Sequence, residues 1–264
     1  MFENERVFIV GSGPSLTGFD FSHLNGEKVI AINHAYRLTK HDLHVFYDTS
    51  FLEEAKPAGY DPRTHSAKVL CKRDLVVPKN GNIIEFRRAS CITQRFKDGL
   101  YMGFSSALPA INAALIYGAR EVYLLGIDCR FFTADDVREA ARLNGNPGAA
   151  ADVLRGADFA HHVTQQSVAH TMNTREKEGK YLQMARQFEA FRGYPVFNLS
   201  PLSALSLPPK RIDDILKRST KDTFSVKTET KLYKKTKDEK TREAINKLIY
   251  AIIVISHRSE PIEI

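Results

Sequence analysis

The feature that most constrains the fold is a series of short apolar segments, each followed by turn residues. Six of them are rich in Val, Ile, Leu or aromatic residues: Val7–Val10, Val29–Ile32, His44–Tyr47, Lys68–Leu70, Val122–Leu125 and Val196–Asn198. Runs of this length and composition are typical of strands that are buried on both faces of a parallel sheet.

Two stretches between these strands have the pattern of helices. Ser106–Tyr117 ends at Gly118, and glycine commonly follows the last turn of a helix. Thr174–Arg192 ends at the turn residues that precede the last strand. Strand and helix in alternation predict an α/β protein with a Rossmann-like, open, mostly parallel sheet and helices on both faces.

Two segments depart from this alternation. The small, glycine-rich stretch after the fifth strand predicts a long lid loop over about residues 131–166. Beyond Pro208-Pro209 the sequence becomes rich in Lys and Thr. We therefore expect a Rossmann-like nucleotide- or nucleotide-sugar-binding domain over 1–208 and a basic, helical tail over 209–264.

The net charge of +7 is concentrated in this tail, where residues 210–247 carry 13 Lys and Arg against 7 Asp and Glu. Such a tail is either a solvated helix or a contact for an anionic partner, such as a membrane surface or a nucleic acid. Its final apolar run is shorter than the roughly 20 residues of a membrane span. It could pack on the body, on a sister subunit of a homo-oligomer, or on a membrane surface.

The cysteines and the N-terminus bear on the compartment. Cys71, Cys91 and Cys129 have no metal-like spacing, which favours free thiols in a reducing environment. The first residues lack a signal-peptide pattern. We expect a cytoplasmic protein that could be peripheral at the membrane.

The first strand runs into a loop that is typical of a phosphate site: Gly11, Ser12, Gly13, Pro14 and Ser15. Glycines let the backbone approach a ligand closely, and N–H groups and hydroxyls can face an anion. The loop is neither a dinucleotide fingerprint, since Leu16 replaces the third glycine, nor a Walker loop, since it lacks the lysine. The alternative is an ordinary strand–turn–helix connection.

Polar residues also follow three other strands. Asn33 ends the second strand, Asp48 follows the third, and Gly126 and Asp128 end the fifth. Ligands bind at the carboxyl ends of strands in open α/β sheets. Asp48 could accept hydrogen bonds from a ribose or base, or hold Mg²⁺. Each residue alone could be a turn or cap, but together they predict a nucleotide site.

Further candidates are hydroxyl and basic residues. Ser105 and Ser106 are natural helix N-caps, and the same helix N-terminus can attract a phosphate. Arg130 could neutralise a leaving phosphate. His170 precedes a helix and could act as a general base. His161, His162 and His170 lack acidic or cysteine partners at ligand spacing, so we expect no metal.

Taken in order, these motifs resemble the bacterial sialyltransferases of glycosyltransferase family 42. The motifs are G-S-G-P-S-L, I-N-H, F-Y-D-T-S, the Ser-Ser helix start, Y-L-L-G-I-D, H-T-M-N-T and N-L-S-P-L-S-A-L. They are also similar to the broader DUF115 group, which includes an archaeal hydroxymethylpterin diphosphokinase and flagellin glycosylation factors. The resemblance covers residues 5–208 and implies a sheet of the GT-A-variant type.

The resemblance to family 42 implies a CMP-sialic acid donor, a glycan or lipid-linked acceptor, no metal, and a histidine base. By position, the loop Gly11–Ser15, Asn33, Asp48 and the serine pair would contact the nucleotide, and His170 would deprotonate the acceptor hydroxyl. The chain departs from the family at Ser12 and Asp48, where asparagine is usual. The family also places tyrosines after G-I-D to stabilise the leaving phosphate, whereas this chain reads C-R-F-F, and Arg130 could replace them electrostatically.

Three functions follow as hypotheses. The first is a metal-independent glycosyltransferase. The second is a diphosphokinase that uses ATP and Mg²⁺, with Asp48 and Asp128 as metal ligands. The third is a protein that binds a nucleotide without chemistry.

Overall fold

The computed structural model describes residues 1–73, 75, 82–130, 132–155 and 178–216. The chain divides into two units, Met1–Lys210 and Arg211–Ile264. The predicted tail over 209–264 is described only as far as residue 216, with residues 212–216 helical, and its remainder with the final apolar run lies outside the described residues.

Nine strands are described: β1 Arg6–Val10, β2 Lys28–Ile32, β3 Leu43–Phe46, β4 Lys68–Lys72, β5 Ile83–Phe86, β6 Arg88–Ala89, β7 Leu100–Tyr101, β8 Glu121–Leu125 and β9 Val196–Asn198. Seven form one parallel sheet in the order β5-β4-β3-β2-β1-β8-β9, and β6 and β7 pair separately. Successive strands after β1 are added on one side, whereas β8 pairs on the other. The strand order therefore reverses at β1 and β8.

The α-helices described within Met1–Lys210 are α1 Thr49–Ala55, α2 Ala107–Ile116, α3 Ala134–Leu143, α4 Ala149–Arg155 and α5 Glu178–Gln187. On β4, Leu70 belongs to the apolar cluster of α2, whereas Val69 and Cys71 belong to the cluster of α1. Side chains alternate between the two faces of a strand. Helices α1 and α2 therefore cover opposite faces, which confirms the predicted Rossmann-like architecture.

Every predicted strand is present, with ends that move by at most two residues. The sequence reading missed β5, whose side chains are mostly half-exposed, and the two-residue strands β6 and β7. Helix α2 confirms the first predicted helix, and Gly118 has a positive φ of 85° at its end. The second predicted helix is α5 followed by a 3-10 turn at Phe188–Phe191, while its residues 174–177 lie outside the described part.

The predicted lid loop requires a correction, because α3 and α4 occupy residues 134–155 of it. Thr133 and Asp136 form a capping box at the start of α3. The two helices bury a small apolar cluster that includes Phe132, Val137 and Val153. Ala140, Ala141 and Ala150 also belong to this cluster, and alanine is a strong helix former. Residues 156–166 of the predicted lid lie outside the described residues.

Within the described ranges, the search for a helix of sufficient length and apolarity to cross a bilayer finds none.

The capping box gives a test of the helical character of this segment. We expect Thr133→Ala to lower the free energy of unfolding by about 1 kcal/mol, because the hydroxyl that accepts the Asp136 N–H is lost. Thr133→Ser retains a capping hydroxyl and is the control. Urea unfolding followed by circular dichroism measures both variants. Equal stability of the two variants would contradict a capped helix here.

Candidate functional site

A cleft of about 630 Å³ opens at the carboxyl edge of the sheet, where the strand order reverses. Such a switch point is where ligands bind in open α/β sheets, because the loops on its two sides diverge. The cleft is lined by residues that follow four strands, by the start of α2 and by two residues of α5: Gly11, Ser12, Gly13, Pro14, Ile32, Asn33, His34, Arg37, Tyr47, Asp48, Glu54, Phe104, Ser105, Ser106, Gly126, Ile127, Asp128, Cys129, Arg130, Tyr181 and Met184.

The two loop glycines are required by close packing within the protein. A Cβ atom on Gly11 would lie 2.5 Å from the Gly126 carbonyl oxygen, and one on Gly13 would lie 2.7 Å from the same atom. Neither glycine has a positive φ, whereas Gly126 does, at 67°. These residues therefore let the loops after β1 and β8 touch. Both glycines also line the cleft, so their expected role in ligand approach stays a prediction beside this packing role.

Most of the loop's N–H groups are already used. Gly11 donates to the Leu125 carbonyl at 2.8 Å, and Gly13 donates to the Gly126 carbonyl at 3.0 Å. Leu16 closes the 3-10 turn by donating to Gly13 at 3.1 Å, and Pro14 has no N–H. Among the described contacts, the Ser12 N–H has no acceptor. The loop therefore offers an anion one amide and the Ser12 hydroxyl, fewer donors than the sequence suggested.

Ser15 was predicted to contact the nucleotide, but it is buried beneath the loop and does not line the cleft. Its N–H donates to Asp128 Oδ2 at 2.9 Å, and its hydroxyl donates to Asp128 Oδ1. Asp128 lines the cleft, but both of its carboxylate oxygens are engaged by Ser15. Burial raises the pKa of Asp128 to about 6, although the hydrogen bonds from Ser15 and the charge of Arg130 lower it.

Asn33 begins a 3-10 turn, Asn33–Arg37, directly after β2, and has a positive φ of 48°. Its carbonyl oxygen accepts a hydrogen bond from Nε2 of the fully buried His44 at 2.9 Å. Its Oδ1 accepts a long bond of 3.5 Å from the Ser106 hydroxyl. Asparagine tolerates this backbone conformation better than most residues. The strand end thus presents a polar side chain to the cleft on a fixed backbone.

Asp48 lies in the cleft at the end of β3 as an exposed residue, and it does not cap α1 with its side chain. No hydrogen bond to its carboxylate is found among the described residues. Partial desolvation raises the pKa of Asp48, and the positive charges of Lys180 and Lys72 lower it by less. A carboxylate that lines the cleft without a donor is suited to accept hydrogen bonds from a ligand.

At the start of α2, the two serines have different roles. The Ser105 hydroxyl accepts the Ala107 N–H at 3.2 Å, so it satisfies the helix start. Ser106 occupies the N-cap position, but its side chain makes no capping bond and donates to Asn33 instead. Both line the cleft, as predicted for a site at this helix terminus.

Arg130 lies at the cleft, but its guanidinium is engaged within the protein. Its Nη2 is 2.9 Å from the Asp136 carboxylate, and its Nη1 donates to the Leu202 carbonyl at 3.2 Å. The guanidinium also lies 5.2 Å from the centroid of the Phe132 ring. These contacts tie the loop after β8 to the start of α3. The predicted role on a leaving phosphate would therefore have to compete with them.

Several lining residues were not predicted. His34 and Glu54 form a pair with 2.8 Å between Nε2 and Oε2, and the Nδ1 of His34 is buried without a partner in the described structure. Arg37, Tyr47 and Phe104 also face the cleft. His34 and Arg37 come from the 3-10 turn after β2. The strand-end rule, that ligands bind beyond the carboxyl ends of strands, would have included these residues if it had been applied to the whole turn and not only to Asn33.

Two predictions have no structural outcome here. His170 lies outside the described residues, so its role as general base stays a prediction. Among the residues that the structure describes, no group of three His, Cys, Asp or Glu side chains could hold a metal ion.

Comparisons with known proteins leave the family unassigned. No protein-family model matches the sequence, and no curated protein matches it. One similar solved structure is the MAf glycosyltransferase from Magnetospirillum magneticum AMB-1, with 16% identity, a TM-score of 0.45, and coverage of 86% of this chain and 38% of that one. This chain thus spans under two fifths of that protein's length.

The sialyltransferase CstII from Campylobacter jejuni is also similar, in two complexes. The complex with cytidine-5'-monophosphate shows 16% identity and a TM-score of 0.34, with 79% of this chain and 87% of that chain covered. The complex with CMP-3FNeuAc shows 16% identity and a TM-score of 0.35, with 78% and 86% covered.

The packing role of Gly13 predicts a clear loss of stability. We expect Gly13→Ala to lower the free energy of unfolding by about 1–3 kcal/mol, because the new methyl group meets the Gly126 carbonyl and the Asp128 carboxylate. Gly148→Ala is the matched control, since its methyl group would meet nothing closer than 3.7 Å. Chemical denaturation compares the two. A Gly13→Ala protein as stable as its control would show that the loops are not in contact.

The raised pKa of Asp128 predicts a pH dependence of stability. Because its pKa is higher in the folded than in the unfolded state, the folded protein binds more protons between about pH 4 and 6. The contribution of Asp128 to stability is therefore full in acid and is lost as the pH rises through about 6. Relative to Asp128→Asn, we expect wild type to lose on the order of 1–3 kcal/mol between pH 4 and 7.

Unfolding by urea at pH 4, 5, 6 and 7 measures this difference. Because Asp128→Asn could fail to fold, Ser15→Ala serves as a second variant. Loss of the Ser15 hydroxyl removes a hydrogen bond that favours the Asp128 carboxylate. The fall in stability with pH should therefore occur at a higher pH in Ser15→Ala than in wild type. If the stability of wild type relative to Asp128→Asn increased from pH 4 to pH 7, the raised pKa of Asp128 would be contradicted.

Proposed function

We propose that the cleft binds the nucleotide of a nucleotide-sugar and that this protein is a glycosyltransferase that moves the sugar to an acceptor hydroxyl. One observation carries the proposal: predicted residues that follow β1, β2, β3 and β8, and those that start α2, line one cleft at the switch point, with Ser15 as the exception. They are far apart in the sequence and meet at the edge where open sheets bind ligands.

The chemistry of the lining suits a nucleotide. Asp48 offers a carboxylate without a hydrogen-bond donor, which can accept from ribose hydroxyls or from an exocyclic amine of a base. Ser12 offers an amide and a hydroxyl to a phosphate, and Arg37 adds a positive charge. The resemblance to family 42 suggests CMP-sialic acid as the donor and a glycan or lipid-linked acceptor.

The proposed reaction is a single displacement. The acceptor oxygen forms a bond to the anomeric carbon and gives its proton to a base, for which His170 is the candidate. The bond between the anomeric carbon and the phosphate oxygen breaks, and the phosphate keeps the electron pair. Alignment of the acceptor, removal of the proton and stabilisation of the leaving phosphate are sufficient for this chemistry, without a metal ion.

The diphosphokinase alternative receives less support from the geometry. It requires Asp48 and Asp128 as ligands of Mg²⁺, but Ser15 engages both oxygens of Asp128. Asp48 remains a possible ligand, and substitution of this residue separates the two functions. Asparagine replaces a hydrogen-bond acceptor well but is a poor replacement for a carboxylate on Mg²⁺.

The test combines ligand binding with variants of Asp48. A thermal-shift panel would contain CMP, CMP-sialic acid, UDP, GDP, ATP and a pterin, each with Mg²⁺ and with EDTA. We expect a cytidine nucleotide to stabilise the protein in EDTA, by about 2.7 kcal/mol at 100 times its dissociation constant. Asp48→Asn should retain this binding within a few-fold, whereas Asp48→Ala should weaken it about tenfold or more.

Transfer itself is followed by release of CMP from CMP-sialic acid in the presence of EDTA. Binding without turnover of any donor would favour the non-catalytic alternative. Stabilisation by ATP that requires Mg²⁺ and is abolished in Asp48→Asn would instead favour the diphosphokinase.

A further inference from the structure

A positively charged side chain stabilises the phosphate of a nucleotide-sugar, and the described lining of the cleft contains two arginines, Arg37 and Arg130. We propose that Arg37, on the turn after β2, is the residue that binds the donor's phosphate and stabilises it as it leaves. This inference rests on the proposed function and assigns a residue that the sequence pattern did not single out.

Arg130 is poorly placed for this role because its charge is already paired. Asp136 and the Leu202 carbonyl accept from its two terminal nitrogens. To bind a phosphate, Arg130 would have to give up contacts that hold the start of α3. Asp136 would lose its cationic partner and keep only the hydrogen bonds from Thr133.

The guanidinium of Arg37 contacts only Tyr36 among the described residues. Its Nε donates to the Tyr36 hydroxyl at 2.9 Å, and its guanidinium carbon lies 5.2 Å from the centroid of the same ring. No other hydrogen bond or ion pair of Arg37 is found within the described chain, so both terminal nitrogens remain as donors. A guanidinium with two free nitrogens can bind a phosphate in a bidentate manner.

The support beneath Arg37 is rigid. The Tyr36 ring packs against the Tyr60 ring, with 4.8 Å between centroids, and against His44, with 5.3 Å. His44 is fully buried and donates to the Asn33 carbonyl, which belongs to the same turn as Arg37. The exposed guanidinium is therefore anchored at Nε to a packed aromatic residue, which reduces the entropy lost when a ligand is bound.

The carboxylates of the cleft do not neutralise Arg37. Glu54 pairs with His34, and Asp128 is engaged by Ser15. No ion pair joins Arg37 to Asp48 in the described structure. The positive charge thus stays available to an anion. Since charge grows on the phosphate oxygen as the bond to the sugar breaks, Arg37 would stabilise the transition state more than the bound donor.

The experiment compares a ligand with and without a phosphate. Calorimetry measures the binding of CMP and of cytidine to wild type, Arg37→Gln and Arg37→Lys. We expect Arg37→Gln to weaken CMP about tenfold or more, to change cytidine by less than about twofold, and to reduce the salt dependence of CMP binding. Arg37→Lys should retain part of the affinity, because the charge remains while the bidentate geometry is lost.

Arg95→Gln is the matched control. It removes the same charge from an exposed arginine outside the cleft, and its ion pair with Asp98 is a surface contact. We expect it to bind CMP as wild type does. Thermal unfolding of each variant verifies that it folds.

The possible results separate the two proposals. Unchanged CMP affinity in Arg37→Gln, or an equal loss for CMP and cytidine, overturns the role of Arg37 and leaves the proposed function standing. Failure of wild type to bind any nucleotide overturns the proposed function and the inference with it. A loss specific to CMP supports both.

Discussion

The contact between Ser15 and Asp128 is the interaction on which the geometry of the cleft depends. It joins the loop after β1 to the loop after β8, the two segments that diverge at the switch point. A buried carboxylate is costly unless hydrogen bonds satisfy it, and Ser15 supplies two. Gly11, Gly13 and Gly126 make the contact possible because larger residues would hold the loops apart.

Other side chains secure the same junction. The Asn144 side chain, directly after α3, donates to the Ser15 and Thr17 carbonyls at 2.8 and 2.9 Å. The Ser200 hydroxyl accepts the Gly126 N–H at 2.7 Å. The loops after β1 and β8 are thus held from three directions. A junction of this kind favours a preformed binding edge over one that orders around its ligand.

The fold could be predicted from the sequence more fully than the site. The strands of the large sheet could be predicted because burial on both faces demands continuous apolar residues, as in Val7–Val10 and Val122–Leu125. Helix α2 could be predicted for the same reason, with its first eight residues all buried. The edge strand β5 could not, because its half-exposed side chains carry a weaker pattern.

The site residues divide in the same way. The strand-end rule located Asn33 and Asp48 at the cleft, because a strand's end fixes where the next residue lies. It could not tell that Ser15 points beneath the loop, or that Arg130 is paired with Asp136. Such partners lie far away in the sequence or on an element that the sequence did not reveal. Arg37 was missed because its position depends on a 3-10 turn.

Backbone strain is concentrated around the same edge. Four described residues other than glycine have a positive φ: Asn4, Asn33, Cys129 and Leu202. Asn33 and Cys129 line the cleft, and the Leu202 carbonyl accepts from Arg130. Such conformations cost on the order of 1–3 kcal/mol each and persist where the surroundings determine them. At Asn33 the determinant is visible, because His44 holds its carbonyl oxygen while Tyr60 fixes the other ring nitrogen at 2.6 Å.

Burial lowers the pKa of His44 well below its usual range, so the ring is neutral and has one N–H to donate. Asn33 can only accept through its carbonyl oxygen, so the proton lies on Nε2, and Nδ1 accepts from the Tyr60 hydroxyl. A buried histidine, a strained asparagine and the arginine that follows on the same turn are therefore one rigid unit. The junction at Asp128 fixes the part of the cleft that follows β1 and β8, and the group around His44 fixes the part that follows β2. A ligand that spans both would meet polar groups whose positions were set by folding.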